Sequence, residues 1–359
     1  MKCKTIMLLV TYSCNLRCSY CYEPKTAFHQ MSVADAKKYI GTILNTLDGN
    51  YDEFEVQFMG GEPLMAFEMI RDVSEWLWSH PQKIPLGMLF AATNGTLLND
   101  EMKKWFTENK ERFCLGLSYD GNQFMQDVNR SESSSLIDTD FFLNNWPNQS
   151  IKMTVSPQTL PHLYDGVVSL HSQGFANVAV DLAMGKNVLW EKEHLVIFQD
   201  QLNQLATFYI QHPDANVVSL LSIDISKVIS RDHSSKKCGC GEDLITVDYD
   251  GQQYACHLFS PIATTKALAK MSQSIDFSNH ALFISDECKE CFLSPVCVSC
   301  YGMNYTVNGN VSRTFPFSCA AFKLQFKFSC QMQLAKAKEI DNNEKVRQLE
   351  GIINLLNYN

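Results

Sequence analysis

The sequence predicts an α/β chain built on a parallel sheet, followed by a cysteine-rich region and a helical tail. Three observations support this. Strand-like and helix-like segments alternate from residue 5 to about residue 212, eight Cys crowd between 238 and 319, and residues 320–350 carry Lys and Glu on one helical face. The strand candidates are 5–11, 54–59, 87–93, 113–119, 151–156 and 176–182. The first holds Ile6-Met7-Leu8-Leu9-Val10, an apolar run that reads as a short buried strand. Helical stretches fall near 32–47, 67–79, 100–108, 136–145, 161–173 and 193–211. Six β/α units in a row imply parallel strands with right-handed crossovers. They can form an open partial barrel of the TIM type, with function on the loops at the strands' C-terminal ends. The alternation alone also permits a flat doubly wound sheet. Residues 122–135, with Asn129, Ser131, Ser133, Ser134 and Ser135, read as a mobile loop.

At 359 residues the chain is one large domain or two to three ordinary ones, and its 45% hydrophobic content supplies a sizeable core. The formal charge of −9, with no basic cluster, argues against a nucleic-acid groove. No apolar run approaches the roughly 18–20 residues that a membrane span needs. Met1-Lys2-Cys3-Lys4 leads at once into strand-like sequence without a secretory core, so a cytoplasmic protein is expected. Of the 14 Cys, three lie at 14–21, eight between 238 and 319, and Cys3, Cys114 and Cys330 stand apart. Clustered Cys in a reducing compartment point to metal rather than disulfides. Cys114 and Cys330 read as buried, inert thiols.

Directly after the first strand comes Cys14-Asn15-Leu16-Arg17-Cys18-Ser19-Tyr20-Cys21. Four Cys normally close an iron–sulfur cluster, so three on one loop leave one iron of a [4Fe-4S] cube open. A zinc knuckle is the alternative, but zinc sites favour four ligands in paired units and no fourth is obvious nearby. With its aromatic Tyr20 before the third Cys, this stretch resembles the hallmark of the radical S-adenosylmethionine (SAM) superfamily. That resemblance implies a (β/α)6 partial barrel and binding of SAM to the open iron. Gly60-Gly61-Glu62-Pro63, after the second strand, reads by itself as an ordinary turn in which two Gly allow close backbone approach. In this context it is similar to the family's GGEP motif, which binds the amino group of SAM. Asn94, in Thr93-Asn94-Gly95-Thr96, and Ser118 end the third and fourth strands and resemble family segments at the same barrel edge. In the anaerobic sulfatase-maturing branch a strand-four Ser contacts the ribose and an Arg twelve residues on pairs with the carboxylate. Ser118 and Arg130 keep that separation. A planar guanidinium suits a carboxylate because it donates two parallel hydrogen bonds. The alternative is a solvated Arg beside Glu132, a pair worth little.

The second Cys group begins with Cys238-Gly239-Cys240, then Leu244 to Val247, Asp250-Gly251 and Gln252 to Cys256. This reads as a β-hairpin with Asp-Gly at its turn, which brings Cys256 back toward the first pair. Cys288, Cys291, Cys297, Cys300 and Cys319 follow. The pattern resembles the SPASM extension, except that two residues rather than three separate Cys297 from Cys300. The resemblance implies two auxiliary [4Fe-4S] clusters, three with the SAM cluster. Cys238, Cys240, Cys256 and Cys300 would hold the nearer and Cys288, Cys291, Cys297 and Cys319 the farther. Ligands one residue apart are tight on one cube, so one of Cys238 and Cys240 could be free. Two structural zinc sites are the metal alternative.

The expected organisation is a barrel over 1–212, a linker over 213–237, a SPASM region over 238–319 and a C-terminal helix packing on the barrel over 320–359. The resemblance implies hydrogen abstraction from a peptide or protein substrate by a 5′-deoxyadenosyl radical, installing a thioether or carbon–carbon crosslink. It also implies a flavodoxin- or ferredoxin-type electron donor. The first strand starts too early for a leader-binding domain, so recognition is expected from a separate leader-binding protein, the barrel mouth or the SPASM region. Tyr301 to Phe328 is aromatic-rich and offers a peptide surface or a core. Sulfatase maturases have a Gln before the glycine motif and an acidic base after the hairpin Cys. Met59 and His257 stand there, which argues against formylglycine formation, and His257 is a candidate base. A radical enzyme for a small molecule and a multi-cluster electron carrier are the remaining readings.

Overall fold

The computed structural model describes residues 2–23, 28–47, 49–229 and 236–358, with side chains through residue 354. Part of the expected linker, 230–235, and the last residue of the expected C-terminal helix lie outside the described residues. The strands are β1 (Cys3–Thr11), β2 (Glu53–Gly60), β3 (Leu86–Thr93), β4 (Phe113–Leu117), β5 (Ile151–Val155), β6 (Val178–Leu182), β7 (Leu244–Val247) and β8 (Gln253–Tyr254). The first helices are α1 (Val33–Thr46), α2 (Phe67–Ser79), α3 (Asp100–Glu108), α4 (Gln123–Asn129), α5 (Thr139–Asn145), α6 (Leu163–Ser172) and α7 (Lys192–Gln211). Then come α8 (Ser226–Ile229), α9 (Lys266–Ser272), α10 (Asp286–Lys289), α11 (Tyr301–Asn308), α12 (Pro316–Glu339) and α13 (Asn343–Tyr358).

Six strands form one sheet in the order β4-β3-β2-β1-β7-β8, parallel except for β8, and β5 and β6 pair separately. A parallel bridge between Ser118 and Lys152 links the two sheets. The curved wall that results is a partial barrel rather than a flat sheet. Period-two alternation sorts its faces. Ile6, Leu8 and Val10 of β1 and Phe54, Val56 and Phe58 of β2 join the core with the helices. The intervening Thr5, Glu55, Gln57 and Met59 are only half-buried on the other face.

β7 pairs with β1 in parallel, from Thr5 with Leu244 to Leu8 with Val247, so the hairpin leading to Cys256 grows from the barrel sheet itself. Between α7 and β7, Val218, Leu220 and Leu221 are buried in the barrel core. Two expectations need correction. Residues 122–135 contain α4, whose Asn122 cap accepts from the Met125 amide at 3.0 Å, and a further single turn at Ser134–Leu136. Polar Gln126 and Asn129 are fully buried there, so the segment carries no amphipathic signal. The helical tail is two helices rather than one. Pro316 occupies the first turn of α12, where its missing N–H costs nothing, and the chain breaks at Asp341 with φ of 52° before α13. α12 lies on α7, and its Ser329 hydroxyl donates to the Leu221 carbonyl at 2.7 Å. No helix among the described residues is long and apolar enough to cross a membrane.

Candidate active site

The three-Cys loop leaves β1 at the C-terminal edge of the sheet, where the glycine pair determines its path. A Cβ on Gly60 would meet the Thr11 carbonyl oxygen at 2.0 Å, and one on Gly61 the Ser13 carbonyl oxygen at 2.4 Å. The Gly61 and Glu62 amides donate to those two carbonyls at 2.9 and 2.8 Å. Only residues without a side chain allow this approach, and it fixes the backbone immediately before Cys14. Pro63 opens a short buried turn behind it.

Glu62 is 1% exposed, and burial raises its pKa. Its Oε1 accepts from the Leu64 amide at 3.0 Å and the Thr93 hydroxyl at 2.8 Å, and its Oε2 from the Asn94 amide at 2.8 Å. The carboxylate therefore ties the end of β2 to the end of β3. Asn94 reaches back to the Cys loop, donating from Nδ2 to Asn15 Oδ1 at 2.9 Å.

Farther along the same edge, Ser118 is half-buried and no hydrogen bond of its hydroxyl is found among the described residues. Arg130 is 8% exposed and lies beside Asp120, not in solvent beside Glu132. Its Nε is 3.1 Å from Asp120 Oδ2, and its guanidinium stands 5.5 Å from the centre of the Tyr20 ring. The Tyr20 hydroxyl donates to the same Oδ2 at 2.7 Å. Desolvation followed by Asp120 keeps the Tyr20 phenol protonated, well above its ordinary pKa, although Arg130 opposes the shift.

The later Cys residues fall into two neighbourhoods. Cys256 is pushed up to about 12, by burial first and then by Cys300 and Cys238, while Cys240 feels Cys238 and Cys256. Cys297 is also pushed up to about 12, by burial first and then by Cys319, Cys288 and Cys291. All the cysteines are free thiols. Buried thiols that oppose one another's ionisation are a poor arrangement alone and a good one around iron, whose charge stabilises thiolates. Among the described residues no three His, Cys, Asp or Glu side chains are close enough to hold a single ion.

Tyr22 links the two Cys regions, since it follows Cys21 directly and packs in the apolar cluster that holds Cys256 and Cys300. Its ring centre is 6.0 Å from that of His257. His257 is depressed to about 4 by burial, and its Nδ1 has no partner among the described residues, so it is neutral near pH 7. Met59 packs in the same apolar cluster as Cys256. Cys330 is buried between α12 and α13, and Cys114 donates to Gln149 Oε1 at 3.3 Å. Phe326 and Phe328 are core, as are Tyr301 and Tyr305, and Phe315, Phe317 and Phe322 pack against core clusters, so the aromatic stretch is not a free surface.

Sequence reading missed Asp120, Asn129 and Asn15. Asp120 lies in Ser118-Tyr119-Asp120-Gly121, the segment that ends the fourth strand and resembles a family segment, but nothing in it gave Asp120 a role.

Residues 4–112 match the profile described as a 4Fe-4S single cluster domain. The chain is 25% identical over 315 residues to a serine-type anaerobic sulfatase-maturating enzyme of Klebsiella aerogenes, covering 79% of this chain and 76% of that protein. It is 20% identical to the radical SAM cyclopropyl synthase TigE of Paramaledivibacter caminithermalis, covering 89% and 72%. Among solved structures, anSMEcpe with bound AdoMet and Cp18Cys peptide superposes with a TM-score of 0.68 at 18% identity, covering 94% of this chain and 99% of that one. Streptococcus suis SuiB bound to precursor peptide SuiA gives 0.55 at 15% identity, covering 83% and 72%. Fold, thiol loop and relatives together define a radical SAM enzyme, which works with a [4Fe-4S] cluster and SAM. More narrowly, the chain is related to the radical SAM/SPASM enzymes, among them the anaerobic sulfatase-maturating enzymes and peptide maturases.

Proposed function

We propose that this enzyme binds a peptide at the open face of the barrel and modifies it oxidatively, beginning with removal of one hydrogen atom. The observation that carries this reading is Tyr22, one residue after Cys21, which packs in the same apolar cluster as Cys256 and Cys300. A substrate between two redox-active groups can be attacked from one side and oxidised from the other.

Cys14, Cys18 and Cys21 would hold the SAM-binding cluster, and Cys238, Cys240, Cys256 and Cys300 the nearer auxiliary cluster. Cys288, Cys291, Cys297 and Cys319 would hold the farther one. Residues 238–319 then act as the auxiliary-cluster region and 1–212 as the barrel. When bound, reduced cluster and SAM supply the 5′-deoxyadenosyl radical that takes the hydrogen. The protein's own contribution is positional. Loop carbonyls after Gly60 and Gly61 would receive the SAM ammonium, Arg130 its carboxylate and Ser118 its ribose. Tyr20 packs under Arg130, and Asn94 fixes the loop through Asn15. His257, whose ring centre is 6.0 Å from that of Tyr22, is neutral beforehand and would become a cation on taking a substrate proton, a charge that its burial opposes.

Two relatives are structures with peptide bound, which supports a peptide rather than a small molecule. The bond made is a crosslink in this reading, because Met59 and His257 replace the Gln and acid of the formylglycine-forming branch. The test is anaerobic reconstitution with iron, sulfide, dithionite and SAM, followed by co-expression with short peptide frames encoded beside the gene. Release of 5′-deoxyadenosine and a peptide 2 Da lighter per crosslink, about one hydrogen molecule lost, are expected. Absence of 5′-deoxyadenosine leaves only the electron-carrier reading. Release without any peptide mass change, but with turnover of a small metabolite, overturns the peptide assignment.

A further inference from the structure

We infer that Asp120 is a positioning residue that fixes Arg130 and the cluster loop in one geometry, so that cluster assembly and SAM binding share a single buried carboxylate. This rests on the SAM role proposed for Arg130. Asp120 is fully buried at the end of β4. Its Oδ1 accepts the Thr154 amide of β5 at 2.8 Å. Its Oδ2 accepts the Tyr20 hydroxyl at 2.7 Å and Asn129 Nδ2 at 3.1 Å, and pairs with Arg130 Nε at 3.1 Å. One side chain therefore joins β4, β5, α4 and the loop between Cys18 and Cys21.

The backbone around it reinforces the connection. The Ser19 amide donates to the Asn129 carbonyl at 2.8 Å, and the Arg17 amide to the Ser131 hydroxyl at 2.9 Å. Ser131 and Glu132 both have positive φ, 58° and 54°, a left-handed turn that non-glycine residues adopt at a cost. That turn places Ser131 against the loop and leaves Arg130 at the helix end, aimed at Asp120. The Arg130 Nε–H has no well-aligned hydrogen bond although the charges are in contact. Asp120 thus holds the guanidinium through charge rather than through an ideal bond. A buried charge left without its partner is strongly unfavourable, so Asp120 also lets Arg130 wait there before a ligand carboxylate arrives.

A role confined to folding would change stability and iron content alone. A positioning role also changes SAM binding at constant iron. The experiment uses the reconstituted full-length enzyme and its Asp120→Asn and Arg130→Met variants. It measures iron per chain, SAM dissociation by anaerobic equilibrium dialysis, and the SAM-induced change in the electron paramagnetic resonance spectrum of the reduced cluster. For Asp120→Asn with wild-type iron, SAM affinity is expected to fall about tenfold, with the spectral change appearing only at correspondingly higher SAM. If Arg130→Met loses SAM binding while Asp120→Asn keeps wild-type affinity, the inference is overturned. Should Asp120→Asn fail to load iron, Tyr20→Phe decides, since it removes one hydrogen bond and no charge. Full iron with severalfold weaker SAM binding supports the inference, and unchanged affinity overturns it. A wild-type enzyme that binds no SAM would instead sink the role given to Arg130 and the function proposed above.

Discussion

The amino-terminal and carboxy-terminal Cys groups are held in opposite ways. The first sits on a loop whose neighbours are already satisfied: Thr11, Ser13 and Ser19 are fixed by backbone hydrogen bonds, Tyr20 by Asp120 and Asn15 by Asn94. The second lies among short elements, a two-residue β8, four-residue α10 and eight-residue α11, and Cys240 and Cys256 are themselves part of the apolar cluster. The barrel builds its thiol site in advance, whereas the later region uses its thiols as core. A ligand-bearing loop that is preorganised without metal can leave one coordination position open for chemistry. On the ligand assignment proposed above, the later region's core consists partly of ligands, and its fold would depend on the metal.

Replacing Cys14, Cys18 and Cys21 together by Ala is expected to abolish 5′-deoxyadenosine release while the auxiliary iron remains. Retained release would erase the functional distinction between the two groups. Chelating all iron is expected to remove hydrogen-exchange protection from residues 244–319 while strands β1–β4 stay protected, readable by mass spectrometry. Equal loss in both regions would show that the barrel edge also depends on metal. Gly60→Ala comes next. Its Cβ would press on the Thr11 carbonyl at 2.0 Å, so a cost of about 3 kcal/mol in denaturant stability is expected, with lower iron at the first site only. The smallest effect concerns the barrel alone. His171, bonded to Tyr209 and the Phe175 carbonyl, has its pKa lowered by burial. Its contribution to stability is full above the unfolded value of 6.5 and is lost as pH falls through the lower folded value. A His171→Gln variant should therefore show a flatter fall in urea midpoint below pH about 6.5 than wild type. An equal slope would place that pH response elsewhere.

Much of the barrel was legible because each strand and helix carries its own period. β1 to β6 and the long helices lie within a few residues of the apolar runs that announce them. The thiol loop and the glycine motif were legible because their spacing is local. α4 was not, since its buried faces are Gln126 and Asn129, which pay for desolvation through partners on other elements. Equally hidden was the attachment of β7 to β1, since a four-residue strand does not record which edge it joins.

The sequence by itself determined the alternating elements, the three thiols after β1 and the crowding of eight more behind residue 238. Only the tertiary structure decided that Asp120 meets Tyr20, a hundred residues away, and that Tyr22 packs in one cluster with Cys256 and Cys300. Local patterns follow from periodicity and backbone geometry, which act within a few residues. Contacts between buried polar groups depend on which loops close over the same strand ends, and only the folded barrel sets that.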